Sequence, residues 1–112
     1  MSRDSRLLLQ DIEDACGEVA AIVSGVDYDA FAGSIEKVAA IERKLFVIGE
    51  ACARLPESFR EAQSHIEWRP IIGMRNVLAH AYWRVDRKVL WDAATRSVPE
   101  LVSHVRALLQ GP

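Results

Sequence analysis

No apolar run in the sequence approaches the roughly 20 residues that a membrane-spanning helix needs. The three leucines near its start, in "MSRDSRLLLQDIED", run directly into acids, so no signal-like apolar core stands there. Cysteine is scarce. Cys16 and Cys52 are the only two, each falls on an apolar helical stripe, and two buried thiols in a reducing cytoplasm are expected rather than a disulfide framework. There is no glycine-rich phosphate loop, which argues against a P-loop nucleotidase. The three histidines, His65, His80 and His104, lack metal-ligand spacing to one another or to the cysteines, so neither a metal site nor a cofactor is expected. No convincing strand, repeat or low-complexity segment occurs.

What remains is an ordinary mixture with one local bias. Half of the 112 residues are apolar, enough for one core, and residues 1–112 are read as a single domain. The formal charge is −2, which is unlike a generally basic nucleic-acid coat. Between Trp68 and Lys88, however, stand Arg69, Arg75, Arg84, Arg87 and Lys88 against the single acid Asp86, a local excess of +4 that leaves −6 for the rest. A polyanion would meet one favourable region.

The periodicity is helical nearly throughout. Leu8, Ile12, Ala15, Val19 and Ile22 mark a first helix from about Asp4 to Ser24, stopped by Gly25. "GVDYDAFAGS" reads as a connector. Ser34 can cap a second helix with the stripe Ile35, Val38, Ile41, Leu45, Ile48, Cys52 and Leu55. Pro56 can open a short helix and Pro70 the next one, since proline suits a first helical turn. A further helix begins near Asp86, and Pro99 starts or kinks the last, which places Val98, Leu101, Val102, Val105, Leu108 and Leu109 on one face. The expected fold is an all-α antiparallel bundle. Gly49 is out of place mid-helix and is read as a point of close approach by a neighbouring helix. Glu50 beside it is either solvated or paired with an arginine such as Arg75.

The segment "RNVLAHAY" carries the densest polar chemistry. On a helix turning about 100° per residue, with Arg75 at zero, Tyr82 falls near −20°, Asn76 near 100° and His80 near 140°. Ile71, Met74, Val77, Leu78 and Ala81 fall between about 200° and 320°, so this count predicts a core stripe opposite a face carrying all four polar groups. Such a face suits metal-free phosphoryl transfer on RNA. A neutral imidazole can take a proton from a ribose 2′-hydroxyl, and arginine offers a fork of donors to the phosphate. One His80 cannot comfortably stand on both sides of an in-line displacement, whereas two copies across a two-fold axis can, which predicts a homodimer. By spacing alone, a helix bearing Arg, Asn, His and Tyr is more often just a solvated face. Trp68, Trp83 and Trp91 are expected in the core or an interface, with base stacking the less common use.

The combination of "FVIGEA", "WRPIIGMRNVLAHAYWRVD" and "VLWDAATRSVPEL" is similar to the HepT-like toxins of the HEPN superfamily, over essentially the whole chain. Arginine, four residues, histidine, one residue, tyrosine is the signature of that family, and Arg75, Asn76, His80 and Tyr82 are all in place. The resemblance implies a bundle of five to six helices that dimerises around an RNA-cleaving cleft, without a metal, acting on transfer RNA or messenger RNA. It implies Arg75 and His80 as catalytic, with Asn76 and Glu50 in support. It also implies a partner, a minimal nucleotidyltransferase antitoxin of the MntA type, that transfers AMP to Tyr82 and thereby blocks the cleft. The alternative is a non-catalytic module whose same face binds a nucleotide or the nucleotidyltransferase.

Overall fold

The computed structural model describes residues 1–81 and 85–111. Helix α1 spans Arg3–Val23, α2 Tyr28–Ala32, α3 Ile35–Arg54, α4 Glu57–Ala62, α5 Trp68–Ala81, α6 Arg87–Asp92 and α7 Val98–Gln110. A π-helical turn, Ala93–Ser97, joins α6 to α7 without leaving helical backbone angles, so the last three segments form one continuous helix. The described residues thus make an all-α bundle of six helices with no strand.

Caps written in the sequence set the starts. Ser2 Oγ accepts from the Ser5 N–H at 3.0 Å and Ser34 Oγ from the Lys37 N–H at 3.1 Å, each satisfying a donor that a helix start leaves orphaned. Asp27 does the same for Ala30 at 2.8 Å. That third cap corrects the connector reading: Tyr28–Ala32 is a short helix, and it buries Phe31 completely. The rings of Phe31 and Tyr28 lie 5.3 and 6.1 Å from that of Trp91, and the Arg87 guanidinium donates to the Ala32 carbonyl. The connector is pinned to α6.

Helix α3 is the axis of the bundle. It packs on α1 along one side and on α5 along another, and α1 also packs on α7. Its buried residues are Val38, Ile41, Leu45, Ile48, Gly49, Ala51 and Cys52. Ile35, the first residue of the expected stripe, is instead 77% exposed. Trp68 opens α5 two residues ahead of Pro70, and its indole N–H is shared between the carbonyls of Arg60 and Gln63, both at 3.2 Å. That bond explains why this tryptophan is in the core. At the far end, Val98 N–H reaches back five residues to the Ala93 carbonyl. Proline has no N–H and its ring crowds the carbonyl four residues before it. Pro99 is therefore accommodated by a widened turn rather than a new start. Among the described residues no helix is long and apolar enough to cross a membrane.

Cys16 on α1 and Cys52 on α3 are both buried and free, and burial pushes each thiol from about 9 up to about 12. The folded state therefore holds these protons where the unfolded chain releases them. Their contribution to stability is complete below pH 9 and is lost as pH rises from about 9 to about 12. At pH 8 both thiols are expected to resist a soluble disulfide reagent until denaturant is added. Fast reaction of either in the native protein would contradict this packing.

Candidate functional site

The site is built where α5 crosses α3. A β-carbon added at Gly49 would collide with the Arg75 Cβ and would lie 2.9 Å from the Ile71 carbonyl and 3.2 Å from the Arg75 Cγ. Glycine is there because another backbone occupies the space that a side chain would need. The close approach expected at Gly49 is found, and its partner is the motif helix itself.

That contact changes the orientation of α5. Ile71, Met74 and Arg75 are half-buried and Leu78 is buried, whereas Gly73, Asn76, Val77, Ala79 and His80 are exposed. With Arg75 at zero, the inward arc runs from about −100° (Met74) to about 60° (Ile72), with Arg75 inside it. Val77, expected in the core stripe, is 46% exposed. Arg75, expected on a face opposite the core, has its stem against α3 instead. The notch at Gly49 admits the arginine stem, so the helix rolls about its axis and Val77 turns outward. Tyr82, Trp83 and Arg84 lie outside the described residues, so the expected Arg75–Tyr82 column is not described.

The head of Arg75 is held on two sides. Its Nε lies 3.1 Å from Glu50 Oε1, realising the pairing that the sequence left open. The Nε is buried and its N–H does not point at that oxygen, so the contact is an ion pair rather than a directed hydrogen bond. Arg75 Nη1 donates to Asn76 Oδ1 at 2.6 Å. Side-chain exposures of 27% for Arg75 and 46% for Glu50 place this pair at the surface, where such a contact is worth roughly 0–1 kcal/mol. Its effect is positional. Among the described residues Nη2 has no hydrogen-bond partner, which leaves part of the guanidinium fork available to an anion.

His80 is exposed on the same helix, five residues and about 7.5 Å of rise beyond Arg75. The structure therefore brings Arg75, Asn76 and Glu50 together, while His80 is on the outward arc one turn beyond Asn76, away from the Arg75–Glu50 pair. Within the locally basic stretch, two cations are already engaged. Arg87 is bonded to Ala32, and Lys88 pairs with Asp92 at 3.5 Å and lies over the Tyr28 ring. Elsewhere, the His65 and His104 rings meet edge to face at 5.1 Å. Among the described residues no group of three or more His, Cys, Asp or Glu is arranged to hold a metal ion.

Comparison with known proteins gives one consistent answer. The family described as "Ribonuclease HepT-like" matches residues 12–108. A protein of Caldanaerobacter subterraneus subsp. tengcongensis named "Putative RNase TTE0752" is 34% identical over 94% of each chain. One of Thermococcus cleftensis named "Probable ribonuclease HepT" is 32% identical over 90% of this chain and 92% of its own. A third, of Methanocaldococcus jannaschii, named "Putative RNase MJ1380", is 31% identical over 92% and 94%. No solved structure matches the chain significantly.

The same substitution should have opposite effects at two helical glycines. Gly17 on α1 has nothing within 4 Å of an added β-carbon, so Gly17→Ala is expected to stabilise by up to about 1 kcal/mol through helix propensity. Gly49→Ala has the same intrinsic gain but meets backbone and a packed stem, and overpacking typically costs about 1–3 kcal/mol. A net loss of about 1–2 kcal/mol is expected, lowering the melting temperature by several degrees. Equal melting temperatures for Gly49→Ala and wild type would overturn the crossing.

Proposed function

This chain belongs to the HepT-like ribonuclease family, and on that premise we propose that it is an endoribonuclease toxin that cleaves transfer RNA or messenger RNA without a metal. The observation that carries the proposal is the held guanidinium of Arg75, with donors to spare, on the same helix as a solvent-facing His80. In the proposed reaction a His80 imidazole takes the proton of a ribose 2′-hydroxyl and the 2′-oxygen attacks the adjacent phosphorus. The bond to the 5′-oxygen breaks, and an imidazolium returns a proton to that leaving oxygen. The products are a 2′,3′-cyclic phosphate and a free 5′-hydroxyl, so atoms and protons balance. Arg75 stabilises charge growing on the phosphate oxygens.

Base and acid act on opposite sides of the phosphorus, and each chain supplies one motif histidine. The proposed assembly is therefore a homodimer in which two α5 helices face each other. The outward arc of α5 supports this. Gly73, Val77 and Ala79 lie exposed among Asn76 and His80, small or apolar residues that let two helices approach.

Regulation is proposed at Tyr82, through AMP transferred from ATP by a nucleotidyltransferase antitoxin of the MntA type. An AMP phosphodiester would compete with substrate phosphate for Arg75 and fill the approach to it.

In EDTA, wild type is expected to cleave RNA, while His80→Ala and Arg75→Ala lose at least 100-fold in rate, in line with general acid–base and oxyanion contributions of about 10²–10³. Equal cleavage by His80→Ala and wild type would remove His80 from the reaction. A monomer that still cleaves at micromolar concentration would refute the shared site. Incubation with the antitoxin and ATP should add AMP mass to the peptide containing Tyr82. An adduct mapped only to Tyr28 would defeat the regulatory assignment.

A further inference from the structure

Beside the Arg75 site runs an open groove of about 320 Å³ lined by Ala39, Glu42, Arg43 and Phe46 of α3 and by Leu78 of α5. Its place relative to the motif follows from the helix directions. Gly49 on α3 meets Ile71 and Arg75 on α5, whereas Leu78 shares the groove with Ala39, Glu42 and Phe46. The two helices are therefore antiparallel. Leu78 lies three residues past Arg75 and two before His80, so the groove lies level with the stretch of α5 between the two motif residues, on the Arg75 side of the helix and not on the face that carries His80.

The groove has the chemistry of a stacking platform. Phe46 is half-buried and packed on the core, which fixes its ring. Arg43 is exposed, with its guanidinium carbon 5.7 Å from the centre of that ring. Phe46, Glu50 and Arg43 also share the rim of a second groove toward α1, whose lining adds the acids Asp11, Asp14 and Glu18. The platform is thus continuous with the residue that holds Arg75, and an RNA strand is favoured on the Ala39 side, away from those acids. Glu42 is the one acid in the lining. Burial pushes its carboxyl above the usual range, and the charge of nearby Arg87 draws it back.

We infer that Phe46 and Arg43 form a nucleotide subsite for single-stranded RNA, with a base stacked on the Phe46 ring and Arg43 on a neighbouring phosphate. An exposed cation–π contact is weaker than the stack of a base on an aromatic ring. An arriving base therefore displaces the guanidinium from the ring face and frees it for the backbone. Unstacked bases splayed onto aromatic and arginine side chains are the usual means by which single-stranded RNA is held. The inference rests on the ribonuclease reading above and adds to it a residue pair that positions substrate.

The test is steady-state cleavage of a single-stranded RNA oligonucleotide by wild type, Arg43→Ala, Phe46→Leu and Phe46→Trp, each checked by melting temperature and by light scattering. Loss of one stacked base corresponds to roughly 5- to 100-fold weaker binding. Phe46→Leu keeps apolar packing but removes the π face, so its KM is expected to rise within that range with kcat within about threefold. Arg43→Ala, at an exposed position, should raise KM in the same direction, and Phe46→Trp should match wild type or bind more tightly. If wild type cleaves and Phe46→Leu and Arg43→Ala have its KM, the subsite is refuted and the ribonuclease reading stands. A defect in Phe46→Leu that Phe46→Trp does not restore assigns Phe46 to packing and also refutes the subsite. A changed particle mass at unchanged KM shows a second copy covering this face and equally refutes the subsite. Wild type that neither binds nor cleaves the oligonucleotide overturns both readings together.

Discussion

One steric constraint organises the rest of the molecule: α5 crosses α3 with the Arg75 stem in the space where residue 49 has no side chain. Backbone contact of this kind is unforgiving, because a carbonyl and a β-carbon cannot swing aside as a side-chain tip can. It fixes the separation of the two helices and the rotation of α5 about its own axis. It also fixes the sequence register between them, Gly49 opposite Ile71 and Arg75. Arg75, Asn76 and His80 take their positions from that register.

The constraint has an electrostatic sequel. Since Gly49 sets the Arg75 stem against α3, the next residue, Glu50, is within ion-pair distance of the guanidinium, and Asn76 holds its other side. A carboxylate beside a phosphate-binding arginine is in principle a competitor. Here it is 46% exposed and lacks a directed hydrogen bond from Nε, so opening the pair costs on the order of 1 kcal/mol or less. Charge-assisted, bidentate contacts of arginine with phosphate are stronger than that. On the proposed reading Glu50 would therefore orient the arginine without trapping it, and Nη2, which has no hydrogen-bond partner among the described residues, would be the edge left for an anion.

Much of this is legible in the sequence, for identifiable reasons. Ser34 and the stripe Val38, Ile41, Leu45, Ile48 and Cys52 name α3 because capping and 3.6-residue periodicity are local properties. Gly49 marks a close approach because glycine mid-helix is costly without one, and an arginine such as Arg75 is one of two natural fates for the carboxylate of Glu50 beside it. The departures on α5 share one cause. Val77 is apolar yet exposed, and Arg75 is charged yet packed at its stem. A count of apolar residues assigns faces by side-chain chemistry, whereas the rotation of α5 is set by the absence of a side chain on another helix. The short α2 escapes a reading by periodicity because five residues carry too little of it, although Asp27 three residues before Ala30 is a capping signal. Phe46 gives no signal at all. A lone phenylalanine on a helix reads as core until the neighbouring arginine is seen over its ring.

On the proposed reading, the same rotation bears on why one chain would fall short of a complete site. Arg75 is tied to α3, while His80, about 140° further round the helix, faces away from the bundle. A phosphate seated on Nη2 of one chain is not thereby presented to the imidazole of that chain from two opposite sides, as an in-line displacement demands. Bringing a second α5 against the exposed arc of Gly73, Asn76, Val77 and His80 places a second imidazole and a second guanidinium on the far side of the same space. On the proposed reading the outward turn of Val77 is then no defect of packing. It is the contact surface that a two-fold site needs, and it exists because Gly49 lets the arginine stem, rather than the valine, turn inward.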